Sequence, residues 1–197
     1  FRVSADGAST PELIPGSEGD VVPNPYSVSP DGKYLAYHDQ GENGNILMLT
    51  LDGSEPARTL YETPGFAGDP MFSPDGRWVA YDADDTGNWE NYVRPFPGPG
   101  GKWQVSIGGG EFARWSGDGK TLFYRRRDGT VWSVAVNANE QSVGFGQPEK
   151  LFEFESGGAF DWDVSADGQR FLFVRETRSV DAGPNLIKLH ANWFAEL

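Results

Sequence analysis

Four copies of Ser-x-Asp-Gly, each running into an alternating apolar strand, dominate the 197-residue sequence. They are VSPDGKYLAY (28–37), FSPDGRWVAY (72–81), WSGDGKTLFY (115–124) and VSADGQRFLF (164–173). Their aspartates, Asp31, Asp75, Asp118 and Asp167, stand 44, 43 and 49 residues apart. A catalytic signature is normally written once, whereas a signature recurring every ~40–50 residues marks a propeller blade. A helical repeat of similar period is disfavoured, because no three-turn run of apolar residues occurs at helical spacing. A fifth match, VSADG at 3–7, lies too close to Asp31 to keep the period. It aligns better with the later turn in LTLDGSEPARTL (49–60).

The units share one internal grammar. An apolar residue ends a short first strand, and then a Pro or small residue forms the corner. Asp bonds nearby amides there, and Gly takes a positive φ that other residues resist. The glycines concerned are Gly32, Gly76, Gly119 and Gly168. A second strand follows with period two, placing Leu35 with Tyr37, Val79 with Tyr81, Leu122 with Tyr124 and Phe171 with Phe173 on one face. Third strands are expected at 45–50, 90–96, 130–136 and 185–190, and outer strands at 57–61, 102–107 and 149–154. The polar stretch 137–147 reads as an enlarged loop.

The predicted fold is therefore an all-β propeller of four-stranded antiparallel blades, with about four blades visible as a single domain. The blades fall at approximately 21–61, 65–107, 109–154 and 157–191. Residues 1–14 read as a half-blade. Either their outer strand, 10–14, closes the ring against the fourth unit, removing two open sheet edges, or the chain is part of a larger propeller.

Composition narrows the partners. Sixteen basic against 29 acidic residues give a net charge of −13, which opposes binding to nucleic acid or to an anionic membrane surface. There is no Cys, which excludes disulfides and thiolate chemistry. No apolar run approaches the ~18–20 residues of a membrane span, so no membrane insertion is expected in this segment. A chain opening on Phe1 reads as a piece of a longer one.

The Ser-Pro-Asp-Gly units resemble the WD40-like (PD40) repeats of TolB-type β-propellers. The stretch YVRPFPGPGGKWQVSIGGGEFARWSGDGKTLFYR (92–125) is similar to the propeller regions of bacterial membrane-anchored serine/threonine kinases, as is the ending NWFAEL (192–197). The resemblance runs from Val21 onward. It implies a six-bladed parent and a sensory or interaction role outside the cytoplasm, in the periplasm or at the cell surface. Kinase activity is not implied, since no kinase Gly-rich loop, His-Arg-Asp or Asp-Phe-Gly occurs.

Candidate chemistry is sparse. The four repeated aspartates are expected to build turns on one rim, one per blade and far apart. Asp82, Asp84, Thr86 and Gly87, in DADDTGNWE (82–90), imitate the first half of a calcium loop, with Asp85 as the third carboxylate of a candidate cation site, but the loop's twelfth position is Val93, where a bidentate Glu is needed. A solvated loop is expected there. His38 and His190 lack any nucleophile turn to serve, and PFPGPGG (95–101) fits a loop between strands. The residues opening the first strands surround the expected channel mouth: Asn24, Asp69, Glu111, Arg114, Asp161 and Asp163. Mostly acidic, they suit a cation, a basic peptide or a small polar ligand. No cofactor is implied. The expected function is a non-enzymatic binding or sensor propeller for a protein, peptide or polar ligand. The alternative is the propeller portion of a hydrolase, peptidase or lyase, which has its catalytic part elsewhere or uses channel carboxylates with a cation.

Overall fold

The computed structural model describes residues 10–15, 24–38, 44–62, 64–138, 142–154 and 161–174, and these contain strands and turns with no helix. Fifteen strands follow in order. The first sheet holds β1 (Asn24–Val28), β2 (Tyr34–His38), β3 (Ile46–Thr50) and β4 (Arg58–Tyr61). The second holds β5 (Ala67–Phe72), β6 (Trp78–Ala83), β7 (Glu90–Pro95) and β8 (Trp103–Gln104). The third holds β9 (Glu111–Trp115), β10 (Thr121–Arg125), β11 (Thr130–Ala138) and β13 (Glu149–Glu153), and β12 (Val143–Phe145) pairs with the far end of β11. A hairpin of β14 (Asp161–Val164) and β15 (Phe171–Val174) follows. All pairings are antiparallel and sequential, the meander of a propeller blade.

Two expectations change. Within the stretch 137–147, expected as a loop, β11 runs on to Ala138 and pairs with Val143–Phe145. The second outer strand is only Trp103–Gln104, because beyond it Ser106 turns inward and its Oγ takes the Asn91 N–H at 2.8 Å in place of a backbone carbonyl. At the N-terminal side, Glu12 forms a single bridge, and Pro15 lies against Gly53 in the β3–β4 turn of the first sheet. The expected strand at 185–190, His190 and the segments 1–9 and 192–197 lie outside the described residues.

The core lies between sheets. Val79 and Tyr81 of β6 pack toward the first sheet with Ala36, Ile46 and Phe72, while Trp78 and Ala80, on the opposite face of β6, pack with Ala113, Trp115, Leu122 and Tyr124. Period-two alternation here separates two buried faces, which is why β6 is buried along its whole length. Phe123 and Val131 meet Trp162, Phe171 and Phe173 in the next layer.

Each turn repeats the same bonds. Ser29, Ser73 and Ser116 donate from Oγ to Asp31, Asp75 and Asp118 at 2.6, 2.6 and 2.8 Å, and Ser165 donates likewise to Asp167. The serine oxygen also accepts the N–H of Tyr34, Trp78, Thr121 or Arg170 at 3.0 Å. Gly76 closes its turn at φ 70°, a conformation that favours glycine. The carboxyls of Asp31 and Asp167 are held below their usual range, first by the serine hydroxyl and then by the backbone N–H two residues on. Neighbouring turns touch. A Cβ on Gly76 would meet Pro30 at 3.4 Å, and Gly117 N–H donates to Ala166 O at 2.8 Å. Strands packed face to face bring their end turns into contact.

Burial grades these turns. Ser73 is buried and Ser165 is half-buried in an exposed hydrogen-bond setting. Ser73→Ala strands the Trp78 N–H away from water and is expected to cost about 1–3 kcal/mol. Ser165→Ala is expected to cost less than about 1 kcal/mol, since water replaces the hydroxyl. Urea melts of the two variants check this, and equal losses would contradict it.

Candidate functional site

The first strands β1, β5 and β9 do not pair evenly with their neighbours. The register slips between Pro25 and Ser27, between Gly68 and Met71, and between Glu111 and Arg114 opposite Phe123–Arg125. In β5 and β9 two residues face one, a β-bulge. Its first residue, Asp69 or Phe112, has a φ of 52° or 58°. These two positions are equivalent, each three before the aromatic that ends the strand. A bulky residue at positive φ is costly unless its surroundings hold it there. Phe112 is held three ways. Its N–H donates to Asp82 Oδ2 at 2.7 Å, its carbonyl accepts Trp162 Nε1–H at 2.9 Å, and its ring lies 4.5 Å below the Arg125 guanidinium.

The bulge at Asp69 carries a buried polar chain across two sheets. Tyr26 and Asp82 hydrogen-bond with the Asp69 side chain, and Asn91 Nδ2 donates to Asp82 Oδ1. Asn91 N–H reaches Ser106, whose hydroxyl donates to Glu90 Oε2, and Gly109 N–H donates to Glu90 Oε1 at 2.9 Å. Burial pushes the Asp69 carboxyl up, opposed by the Tyr26 bond and the Arg114 charge. Burial likewise holds Asp82 well above the usual carboxylate range, and the Asp69 charge adds to it.

The six channel-mouth candidates divide into separate groups. Arg114 gathers two of them: its Nη2 lies 3.3 Å from Asp161 and its Nε 4.0 Å from Asp163. Asp161 and Asp163 remain 71% and 74% exposed at their side chains, while Arg114 is buried and also bonds the carbonyls of Ala113 and Trp162. Asp69 turns into the polar chain. Asn24 Nδ2 stands 3.3 Å from His38 Nε2 in the first sheet. Glu111 turns away to Arg127, whose Nε and Nη2 lie 2.9 and 2.7 Å from Glu111 Oε1.

The three aspartates of the calcium-like stretch diverge. Asp82 points into the core, Asp84 Oδ1 accepts Phe66 N–H at 2.7 Å, and Asp85 pairs with Lys102. Among the described residues no three His, Cys, Asp or Glu side chains gather to hold a metal ion. PFPGPGG is a β7–β8 loop fastened to the first sheet, with Tyr61 OH donating to Pro95 O at 2.7 Å and Phe96 packed edge-on to Tyr34, and also to Phe72 of its own sheet.

Sequence reasoning overlooked Tyr26, Asn91, Phe112 and Arg125, and treated Asp82 as a surface group. One signal was available: aligning the units places Phe112 beside Asp69, two dissimilar residues at one backbone position. Beside this polar chain, a cleft of about 360 Å³ opens between the second and third sheets, lined by the β6–β7 loop, residues 108–111 and the β10–β11 turn.

The fold is that of a TolB-type β-propeller, seen in part. TolB from Acinetobacter baumannii superposes with a TM-score of 0.55 at 19% identity, over 81% of this chain and 38% of that one. A gluconolactonase from Xanthomonas campestris superposes with a TM-score of 0.58 at 14% identity, over 79% and 56%. In sequence, dipeptidyl-peptidase 5 from Arthroderma otae is 28% identical over 198 aligned residues, covering 84% of this chain. The chain spans about a quarter of the length of the curated relatives it matches. No family profile matches it. No helix among the described residues is long and apolar enough to cross a membrane.

Proposed function

We propose that the protein is a binding or sensor propeller, working outside the cytoplasm, that recognises a basic peptide or a partner bearing basic groups. The observation that carries this is the Arg114 group. One buried arginine anchors two carboxylates whose side chains stay more than 70% exposed, in a chain of net charge −13. Such a patch steers cationic partners and weakens with salt. The extracytoplasmic setting rests on the likeness to TolB. Calorimetric titration with a Lys/Arg-rich peptide is the test. Binding is expected to fall between about 50 and 300 mM salt, as the Debye length shortens. Asp161→Asn with Asp163→Asn is expected to weaken it about fivefold, in line with rim charges. Binding indifferent to both salt and this pair would refute the proposal.

A second reading has its own support. The dipeptidyl-peptidase relatives favour a propeller portion of a hydrolase, with the catalytic part elsewhere in the parent chain. A hydrolase domain in the same open reading frame would support it.

A further inference from the structure

The cleft between the second and third sheets lies apart from the Arg114 group and has a different electrostatic character. Glu111 is 9% exposed and lines this cleft. Its Oε1 accepts from Arg127 Nε–H at 2.9 Å and lies 2.7 Å from Nη2. Among the described residues Glu111 Oε2 accepts no hydrogen bond, and Arg127 Nη1 donates none. The pair thus presents one unused acceptor and one unused donor group, with its charges already neutralised. The other cleft arginine, Arg126, is spent on structure: it bonds the Ile107 and Gly109 carbonyls and lies 3.8 Å over the Trp132 ring. Asp128 is likewise occupied, by Thr130.

Trp89 supplies the third element. Its half-buried indole also lines the cleft, braced by Phe66 with ring centroids 5.7 Å apart and lying 5.9 Å from the Arg127 guanidinium. A free anion meets Glu111 and a free cation meets Arg127, so neither gains from the paired charges. The hydroxyls of a neutral ligand fit both: a hydroxyl donates to Glu111 Oε2 or accepts from Arg127 Nη1. The apolar C–H face of a sugar ring then covers the indole. Pockets of this kind combine an aromatic wall with a few placed polar groups.

We propose that this cleft binds a neutral polyhydroxylated ligand, a saccharide, held by Trp89, Glu111 and Arg127. The site is independent of the basic-partner surface, so either proposal can fail alone. The test titrates cellobiose, N,N′-diacetylchitobiose and maltose into the protein while the indole N–H resonances are followed by NMR. The Trp89 signal is assigned by Trp89→Phe. At least one disaccharide is expected to shift that signal saturably below about 10 mM, a weak single-site affinity, and with little dependence on salt. Arg127 is 72% exposed at its side chain, so Arg127→Gln leaves the fold intact, as checked by its unchanged thermal melt. This variant is expected to lower the affinity at least tenfold, and Glu111→Gln is expected to do the same. The proposal is overturned if no disaccharide in the panel moves the Trp89 signal. It is equally overturned if glucose 6-phosphate or a Lys/Arg-rich peptide saturates the cleft in preference, or if Arg127→Gln binds as tightly as the parent.

Discussion

Replacing Trp162 by alanine is expected to destabilise the protein by about 3–5 kcal/mol, the range for removing a large buried aromatic. Trp162 is buried and joins β14 to the third sheet in two ways: its Nε1–H donates to Phe112 O at 2.9 Å, and its side chain packs with Phe123 and Val131. Within its own hairpin the ring lies nearly parallel to Phe171 and Phe173, with centroids 6.2 and 5.8 Å away. Losing the side chain opens a cavity and also removes one of the three restraints that keep Phe112 at positive φ. Trp162→Phe preserves most of the apolar contact and forfeits the hydrogen bond, so a loss of about 1–2 kcal/mol is expected. Urea denaturation of the three proteins measures both values. If Trp162→Ala costs less than Trp162→Phe, or nothing, the fourth hairpin is not docked as described.

Asp69→Asn is expected to stabilise the protein at alkaline pH and to leave it little changed near pH 4. Asp69 and Asp82 both have carboxyls raised by burial, and each is the other's neighbour. The folded protein therefore holds protons that the unfolded chain releases near pH 4. Stability falls as pH rises from that point through the folded-state values and is level above them. The surrounding groups modify this without reversing it: Arg114 and His38 favour the charged form of Asp69, while Asp69 and Glu111 oppose the charged form of Asp82. Asparagine supplies a permanent N–H toward Asp82 and keeps a carbonyl for Tyr26. It also tolerates the φ of 52° at this bulge at least as well as aspartate. A gain of about 1–2 kcal/mol is expected at pH 8, since a tenfold change in a carboxyl's proton affinity is worth about 1.4 kcal/mol. Chemical denaturation at pH 4.5 and pH 8 tests it; a variant that loses stability at pH 8 would refute the burial-driven protonation of the pair. The turn aspartates act in the opposite direction, since Asp31 and Asp167 sit below their usual range and lose their contribution only in acid.

The blade turns were legible in the sequence because each is a local object. Ser, Asp and Gly lie within four residues, and their bonds span two to five positions. The strand faces were legible for the same reason: Val79 with Tyr81 and Leu122 with Tyr124 alternate as short-range geometry requires. What could not be read depends on contacts far apart in the chain. Asp82 sits 30 residues from the Phe112 N–H it accepts, and Arg114 47 residues from Asp161. Nothing in DADDTGNWE distinguishes its two buried carboxylates, Asp82 and Glu90, from Asp84 and Asp85, because their burial is created by contacts distant in the chain. The bulge was hidden as well. Asp69 precedes Pro70, a setting that normally suggests extended backbone, and Phe112 is among the residues least suited to positive φ.

The contact between successive turns has a consequence for how such a chain can vary. At the second position of the turn the units read Pro30, Pro74, Gly117 and Ala166, and the first three are each matched to the unit beside them. Pro30 lies over Gly76, and Pro74 lies 3.7 Å from the place a Cβ on Gly119 would take. At Gly117 the relation inverts. Its N–H bonds Ala166 O, and a Cβ there would come within 2.8 Å of Ala166. Placing the proline of the first two units at 117 would thus delete a donor and drive a ring into its neighbour. Gly117, which departs from that proline, is the residue that seats the next unit, so the units are not interchangeable modules. Duplication can copy a blade, but the copy joins the ring only after this one position has been refitted to its new neighbour.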